Sequence, residues 1–419
     1  MSQFSRDFLR AMLVGAAAFA AGNPALEAQQ PTSLNPDISV IGDVLADLSP
    51  GEPRFSEDGA RFSLREVELA LQAAVDPFFR ADFFLGVHGD EIGVEEAYLT
   101  ALALPGELQA RLGRFHLPLG KANLTHRPEL LTVEYPLAIR TYFGPEGFSG
   151  SGVGVSRILA PFGFFQEVQL FVLNGIESEG HAHDLDLDLD HSEHQAPMGS
   201  RSEELVVGGP ERSGREQFGF LAQLRQFHDL TPAANIELGV SVATGSVERY
   251  LPPATGEATA GPGGPDVMRH FPTQRLYAAH AVFRWRPPGR GLYRSFRWEV
   301  ETFGHDGPES RVWGGFSQAQ WQTGRRTYLG GRLDAVQLPG HQDVELHGEG
   351  AGRHVDFYEG KGGEWRYAAS GTLTFFPSEF SRFRLAVERT FGDGWEEEAD
   401  WRAVLQTTFN IGPHRPHPF

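Results

Sequence analysis

Residues 62–88 read FSLREVELALQAAVDPFFRADFFLGVH. Val67, Leu69, Leu71, Ala73 and Val75 fall on one face, with Glu66, Glu68, Gln72 and Asp76 opposite. After a break at Pro77 the same rhythm resumes. Phe79, Ala81, Phe83, Leu85 and Val87 now form the apolar face, and Arg80, Asp82 and His88 the polar one. A period of two marks an extended strand whose two faces meet different solvents. Two such strands across a tight break predict an antiparallel pair.

Working outward, Asp37 to Asp47 alternates in the same way, with Ile38, Val40, Gly42 and Val44 against Asp37, Ser39 and Asp43. Further runs are Ile92 to Ala103, Gln109 to Phe115, Gly150 to Ile158, Phe165 to Asn174, Glu216 to His228 and Asn235 to Gly245. Then come Thr273 to Trp285, Leu292 to Gly304, Gly314 to Thr323, Thr327 to Val336, Gly363 to Phe375, Phe383 to Thr390 and Asp400 to Ile411. Tilted strands of about 9–11 residues cross a bilayer. The connections alternate in length. Pro77, Leu104 to Leu108, Ala160 to Gly163, Leu230 to Ala234, Pro287 to Gly291, Gly324 to Arg326 and Phe376 to Glu379 are short. His116 to Ser149, Ile176 to Arg215, Ser246 to Pro272 and Gln337 to Lys361 are long, with Asp90–Glu91 a short exception in that set. About sixteen strands, short turns at one rim and long loops at the other predict an all-β, antiparallel up-and-down transmembrane barrel. No internal repeat of fixed period points to a propeller or solenoid.

Composition agrees. Mean hydropathy is −0.30, and no run approaches 18 consecutive apolar residues, so helical spans are excluded. The 50 Gly and 28 Pro sit among 32 Phe, 7 Trp and 9 Tyr, an aromatic content foreign to disorder. The chain has no Cys, which removes disulfides, thiol catalysis and thiolate ligation. A formal charge of −19 argues against a nucleic-acid partner. Arg6 and Arg10, an apolar run from Ala11 to Ala21, and small residues to Ala25 and Ala28 read as a cleavable signal peptide over residues 1–28. A short periplasmic segment, 29–36, would precede a barrel over 37–419. The expected location is the outer membrane of a Gram-negative bacterium, reached through the periplasm. A plugged, energised receptor needs a globular domain before the first strand, and Gln29 to Pro36 supplies none.

Ala110 to Gly120, ARLGRFHLPLG, runs a strand into a Leu-Pro-Leu-Gly turn, and Gly144 to Gly154, GPEGFSGSGVG, leads into the next. Both stretches resemble the bacterial porin superfamily that includes the phosphate-selective porins O and P. The closing WRAVLQTTFNIG, with Phe419 at the end, is similar to final strands that the barrel-assembly machinery recognises, although Pro413, Pro416 and Pro418 depart from the pattern. The resemblance implies a homotrimer of sixteen-stranded barrels, bounded by outer-membrane lipids, that passes small polar solutes by diffusion. Phosphate selectivity would need basic walls. With 36 basic residues against 55 acidic, the expectation moves toward a cation-tolerant pore.

Three features are candidates for chemistry. The connection His116 to Ser149, third on its side after Leu48 to Arg61 and Asp90–Glu91, carries Lys121, His126, Arg127, Glu129, Glu134, Arg140 and Glu146. It is either a constriction folded into the barrel or an outward loop packed on a neighbouring subunit. Arg65, Arg80 and Arg111 lie on or beside the polar strand faces, as pore-lining groups or as struts paired with carboxylates such as Glu66 and Glu68. Within the long loop 176–215, HAHDLDLDLDHSEH offers His181, His183, Asp184, Asp186, Asp188, Asp190, His191 and His194 as ligands. This is a solvated acidic tip, or a loose site for Zn²⁺ or Ca²⁺. No cofactor is otherwise required. Aromatics such as Phe78, Phe84, Tyr277, Trp285, Trp298, Phe375 and Trp401 are expected in interfacial girdles or packed inside. No hydrolase, P-loop or metalloprotease motif is present, so no enzyme is expected. The leading expectation is a passive channel; the alternative is a zinc-capturing or receptor-like barrel working through the His/Asp loop.

Overall fold

The computed structural model describes residues 36–50, 53, 60–88, 91–176, 218–246, 249–251, 258–259, 268–270, 273–307, 311–339, 342–347, 354–359, 363–392 and 400–412. The predicted signal peptide, the start of the 29–36 segment and the whole His/Asp cluster lie outside these residues.

Sixteen strands close on themselves. The first nine are β1 (Asp37–Asp47), β2 (Phe62–Ala74), β3 (Phe79–His88), β4 (Glu91–Leu104), β5 (Leu108–His116), β6 (Ser149–Leu159), β7 (Phe165–Leu173), β8 (Gly219–Thr231) and β9 (Ala234–Ser246). Three short strands follow in the next long connection, β10 (Arg249–Leu251), β11 (Ala258–Thr259) and β12 (Met268–His270). The barrel continues with β13 (Thr273–Trp285), β14 (Phe296–Asp306), β15 (Arg311–Gln322) and β16 (Thr327–Gln337). After β17 (Gln342–His347) and β18 (His354–Glu359), it ends with β19 (Trp365–Ser378), β20 (Ser381–Gly392) and β21 (Asp400–Ile411). Every neighbour is antiparallel, and β1 pairs with both β2 and β21, so no barrel edge is left open. Closure satisfies all ladder groups internally, which is what allows strands to stand in hydrocarbon. The two loop sheets, β10 with β12 and β11–β18–β17, were expected as plain loops.

The period of two becomes two surfaces. Trp321, Leu329, Leu373, Leu385 and Leu405 pair in succession across β15, β16, β19, β20 and β21, and each is at least 36% exposed. This is an outward apolar row facing lipid. Between them, Gln322, Thr372, Thr374, Arg384, Gln406 and Thr408 point inward and are buried. Trp298, Phe375 and Trp401 stand on the outer surface, whereas Phe84 faces inward and is fully buried.

The strand expected from Leu292 begins later than its pattern suggested. Residues 292–295 belong to the turn after Pro287, held by hydrogen bonds from Tyr293 and Arg294 N–H to the Arg290 carbonyl, and β14 starts at Phe296.

Five strand pairs carry a register shift, and two of these β-bulges fall where they add charge to the lumen. In β1–β2, Asp43 pairs with Glu66 and Val44 with Leu64, which leaves Arg65 as an extra residue. In β3–β4, Phe84 pairs with Glu96 and Leu85 with Val94, which leaves Glu95 extra. A bulge turns two successive side chains to one face. Arg65 with Glu66, and Glu95 with Glu96, therefore all enter the lumen.

Candidate functional site

The connection from Leu117 to Phe148 does not leave the barrel. Leu117, Leu119, Leu130, Tyr135, Leu137, Ile139, Phe143 and Phe148 are all nearly inaccessible to water. They pack on inward-facing Phe84, Phe115, Phe171, Leu221, Leu276, Phe303, Phe316 and Val336. These lumen positions are apolar because they meet the loop rather than water. Each such side chain contributes roughly 1.5–3 kcal/mol by burial, so the packing sets the loop firmly inward. The loop contains a short helix, α1 (Leu137–Phe143), which Pro136 begins and Gly144 ends at φ 86°. Asn123 fastens its two ends, donating to the Leu117 and Phe148 carbonyls at 2.8 Å each and accepting from Phe148 N–H at 2.7 Å.

Polar side chains of the wall take the loop's backbone groups. Glu301 accepts from the N–H groups of Lys121 (3.0 Å) and Ala122 (2.7 Å). Gln223 donates to the Pro118 carbonyl at 2.9 Å, and Asp334 accepts from Leu137 N–H at 2.9 Å. On the other side, Arg384 donates to the carbonyls of Thr132 (2.5 Å) and Leu130 (2.7 Å). Arg332 donates to the Glu134 carbonyl (2.8 Å) and to the Thr132 hydroxyl, while its Nε is held by Asp334 at 2.7 Å. Arg382 reaches the Pro128 carbonyl. The loop thus crosses from an apolar wall to a wall of arginines.

Two cavities flank the loop along the arginine wall. One, about 260 Å³, is lined by Ile41, Pro128, Glu129, Phe376, Glu379, Ser381, Arg382, Thr408 and Asn410, toward the short-turn rim. A smaller one of about 20 Å³ lies beyond the loop, between Thr132, Val133, Glu134, Ser370, Thr372, Ala386, Glu388, Arg402 and Val404. Arg384, which binds Leu130 and Thr132, stands between them.

The residues singled out from the sequence are divided by this geometry. Arg65 pairs with Asp43 and donates to Glu134 at 2.8 Å. Arg127 lies 3.5 Å from Glu134 and 2.9 Å from Glu146. Burial alone would raise the Glu134 carboxyl, but Arg127, Arg65 and Arg140 hold it down to about 2. Glu129 lines the larger cavity with Arg382. Arg140 lies 3.6 Å from Glu388. Three others stand apart: Arg80 is bound to Asp82 at 2.7 Å, Arg111 lies over the Tyr98 ring at 4.5 Å, and Lys121 is 3.3 Å from Glu237. His126 is enclosed by Glu68, Glu95 and Glu96. Arg332, Arg382, Arg384, Asp334 and Glu301 were not singled out. Their sequence signal is only a charge on the inward parity of a strand, and which loop atom each one meets depends on closure.

No protein-family model matches the chain. It is similar to an uncharacterized protein of Aquifex aeolicus, 26% identical over 375 residues, covering 85% of this chain and 70% of that one. Among solved structures, OprB of Pseudomonas putida superposes with a TM-score of 0.50 at 11% identity, over 90% of this chain and 94% of that chain. The outer membrane channel DcaP of Acinetobacter baumannii gives a TM-score of 0.45 at 10% identity, over 90% and 96%. OmpT of Vibrio cholerae, in its trimer form, gives 0.46 at 7% identity, over 90% and 100%. The chain shares with OprB the fold of a closed antiparallel β-barrel.

Proposed function

We propose that the protein is an outer-membrane channel for small polar solutes or ions, in which the inserted loop 117–148 sets the passage. The observation that carries this reading is the loop's one-sided packing. It lies on apolar groups along one wall and leaves charged cavities along the other, where Arg384 bridges to it. An apolar plug would have no reason to keep such a seam. Each cavity sets two carboxylates against one guanidinium: Glu129 and Glu379 with Arg382, then Glu134 and Glu388 with Arg402. Charged walls set selectivity in pores, and the balance at the larger of these two cavities supports a mild preference for cations, since Glu134 and Glu388 are already paired with arginines. Pore lining thus belongs to Glu129 and Glu134 in this proposal, with Arg65 and Arg140 paired to the lining carboxylates Glu134 and Glu388, while Arg80, Arg111 and Lys121 support the wall.

The wider reading extends the same proposal: an exported chain, inserted by the barrel-assembly machinery, surrounded by outer-membrane lipid and assembled as a homotrimer, with kinship to the phosphate-selective porins O and P read from residues 110–120 and 144–154. It includes no catalytic step. Planar-bilayer recording of the purified, folded protein tests it. Discrete conductance steps with a reversal potential of cationic sign under a salt gradient are expected; a folded protein that gives no steps contradicts the channel.

A further inference from the structure

His126 is enclosed within the described lumen, with its side chain 1% exposed. Its Nδ1 lies 2.7 Å from Glu68 Oε2 and 2.9 Å from Glu95 Oε2, and its Nε2 lies 3.1 Å from Glu96 Oε2. We propose that His126 Nδ1, Glu68 and Glu95 form a binding site for one divalent transition cation of the zinc and cobalt class, which clamps the inserted loop to β2 and β4.

Four observations point to that ligand. One imidazole nitrogen of His126 and one oxygen of each carboxylate all lie within 4.8 Å of one another, close enough for one ion to draw them together. The second oxygen of Glu68, on a side chain that is 0% exposed, has no hydrogen-bond partner. A buried carboxylate oxygen in that condition is costly unless a cation serves it. The bulge at Glu95 is what brings Glu95 and Glu96 to the same ring; strict alternation would send one of them into lipid. Finally, Glu96 stands on the far nitrogen. A carboxylate accepting from the distal N–H of an imidazole is the usual support of a metal-bound histidine, since it fixes the tautomer and orients the ring.

The required movement is an opening of the two Nδ1–oxygen gaps and a closing of the oxygen–oxygen gap from at most 4.8 Å. In a tetrahedral site with metal–ligand bonds of about 2.0–2.1 Å, ligand atoms stand about 3.3 Å apart. The Nδ1–oxygen gaps would open by well under 1 Å from 2.7 and 2.9 Å. One imidazole and two carboxylates suit zinc, cobalt or manganese, whereas calcium takes six to eight oxygens. Three protein ligands leave a fourth position for water. Binding displaces the Nδ1 proton to solvent. The site is independent of the His/Asp loop and of the channel reading.

Titration of the folded full-length protein with Co²⁺, followed by visible absorption, tests the proposal. We expect one ion per chain with the intense bands of a four-coordinate site. These bands persist when His181, His183, His191 and His194 are all replaced by Ala. Glu68→Gln and Glu95→Gln are isosteric, and each abolishes the bands; Glu95 is 14% exposed and tolerates the change if Glu68→Gln fails to fold. Glu96→Gln weakens binding about 10- to 100-fold. No one-to-one binding by the wild-type chain, bands lost in the four-histidine variant, or bands unchanged in Glu95→Gln each overturn the assignment.

Discussion

Arg384 on β20 donates from Nη1 to the carbonyl of Thr132 at 2.5 Å, joining the inserted loop to the wall across 252 residues of sequence. The same guanidinium binds the Leu130 carbonyl and Gln406 on β21, and its side chain is among the largest that are fully buried. A cation in that position reads the loop's backbone rather than its side chains.

Replacing Arg384 by Met therefore leaves two loop carbonyls facing an apolar chain. The expected cost is about 1–3 kcal/mol for each stranded acceptor. Urea unfolding should show it, and proteolysis of the folded barrel should become possible within the loop. Loop protection equal to that of the wild type would show that the apolar packing alone holds the loop.

The loop should also loosen in acid. Glu134 has its carboxyl lowered from 4.5 to about 2 by Arg127, Arg65 and Arg140, against the effect of burial. A depressed folded-state value stabilises docking fully above about 4.5, and the contribution is lost as pH falls toward 2. Hydrogen exchange at residues 126–140 should accelerate between these values in the wild type. Glu134→Gln should be less protected at neutral pH and nearly flat across the same window.

Gly113 stands at φ +139°, and a Cβ there would lie 2.1 Å from the Ala97 carbonyl oxygen and 2.7 Å from Tyr98 Cα. Those neighbours are backbone and cannot swing aside. Gly113→Ala should cost about 1–3 kcal/mol from the strained dihedral alone, seen as a lower urea midpoint or a lower temperature of the heat-shifted gel band. Wild-type stability in this variant would contradict the close β4–β5 approach.

On the outer surface, Leu385 belongs to the lipid-facing row. Leu385→Arg should destabilise the barrel by about 2–4 kcal/mol if the row lies near the bilayer midplane. Ala386→Ser, one residue along and facing inward, should change little. Equal effects of the two would undo the division into lipid and lumen faces.

The barrel was legible because its signals are local. Alternation over residues 62–88, and the sorting of short and long connections with Asp90–Glu91 as an exception, follow from a closed sheet between two solvents. The inserted loop was legible as a choice only: its mixed charge fitted a constriction, and its run of buried Leu, Ile and Phe is what sets it inside. Leu64-Arg65-Glu66-Val67 and Val94-Glu95-Glu96-Ala97 each place two charged residues between apolar ones within a strand. That slip in period was the available signal for both bulges. Total charge was a poor guide to the lumen, since residues 177–217 alone carry 11 acidic and 3 basic side chains. The pairing of Arg384 with Thr132 could not be read, because only closure brings β20 opposite the loop.

Single-channel recording of the wild type beside a double variant, Arg382→Met with Arg384→Met, measures the central claim most directly. If the loop sets the passage and these arginines hold it, the wild type gives small, discrete steps and the double variant larger, noisier ones, with both proteins folded by gel shift. Equal step size in the two folded proteins, or no steps in either, would contradict it.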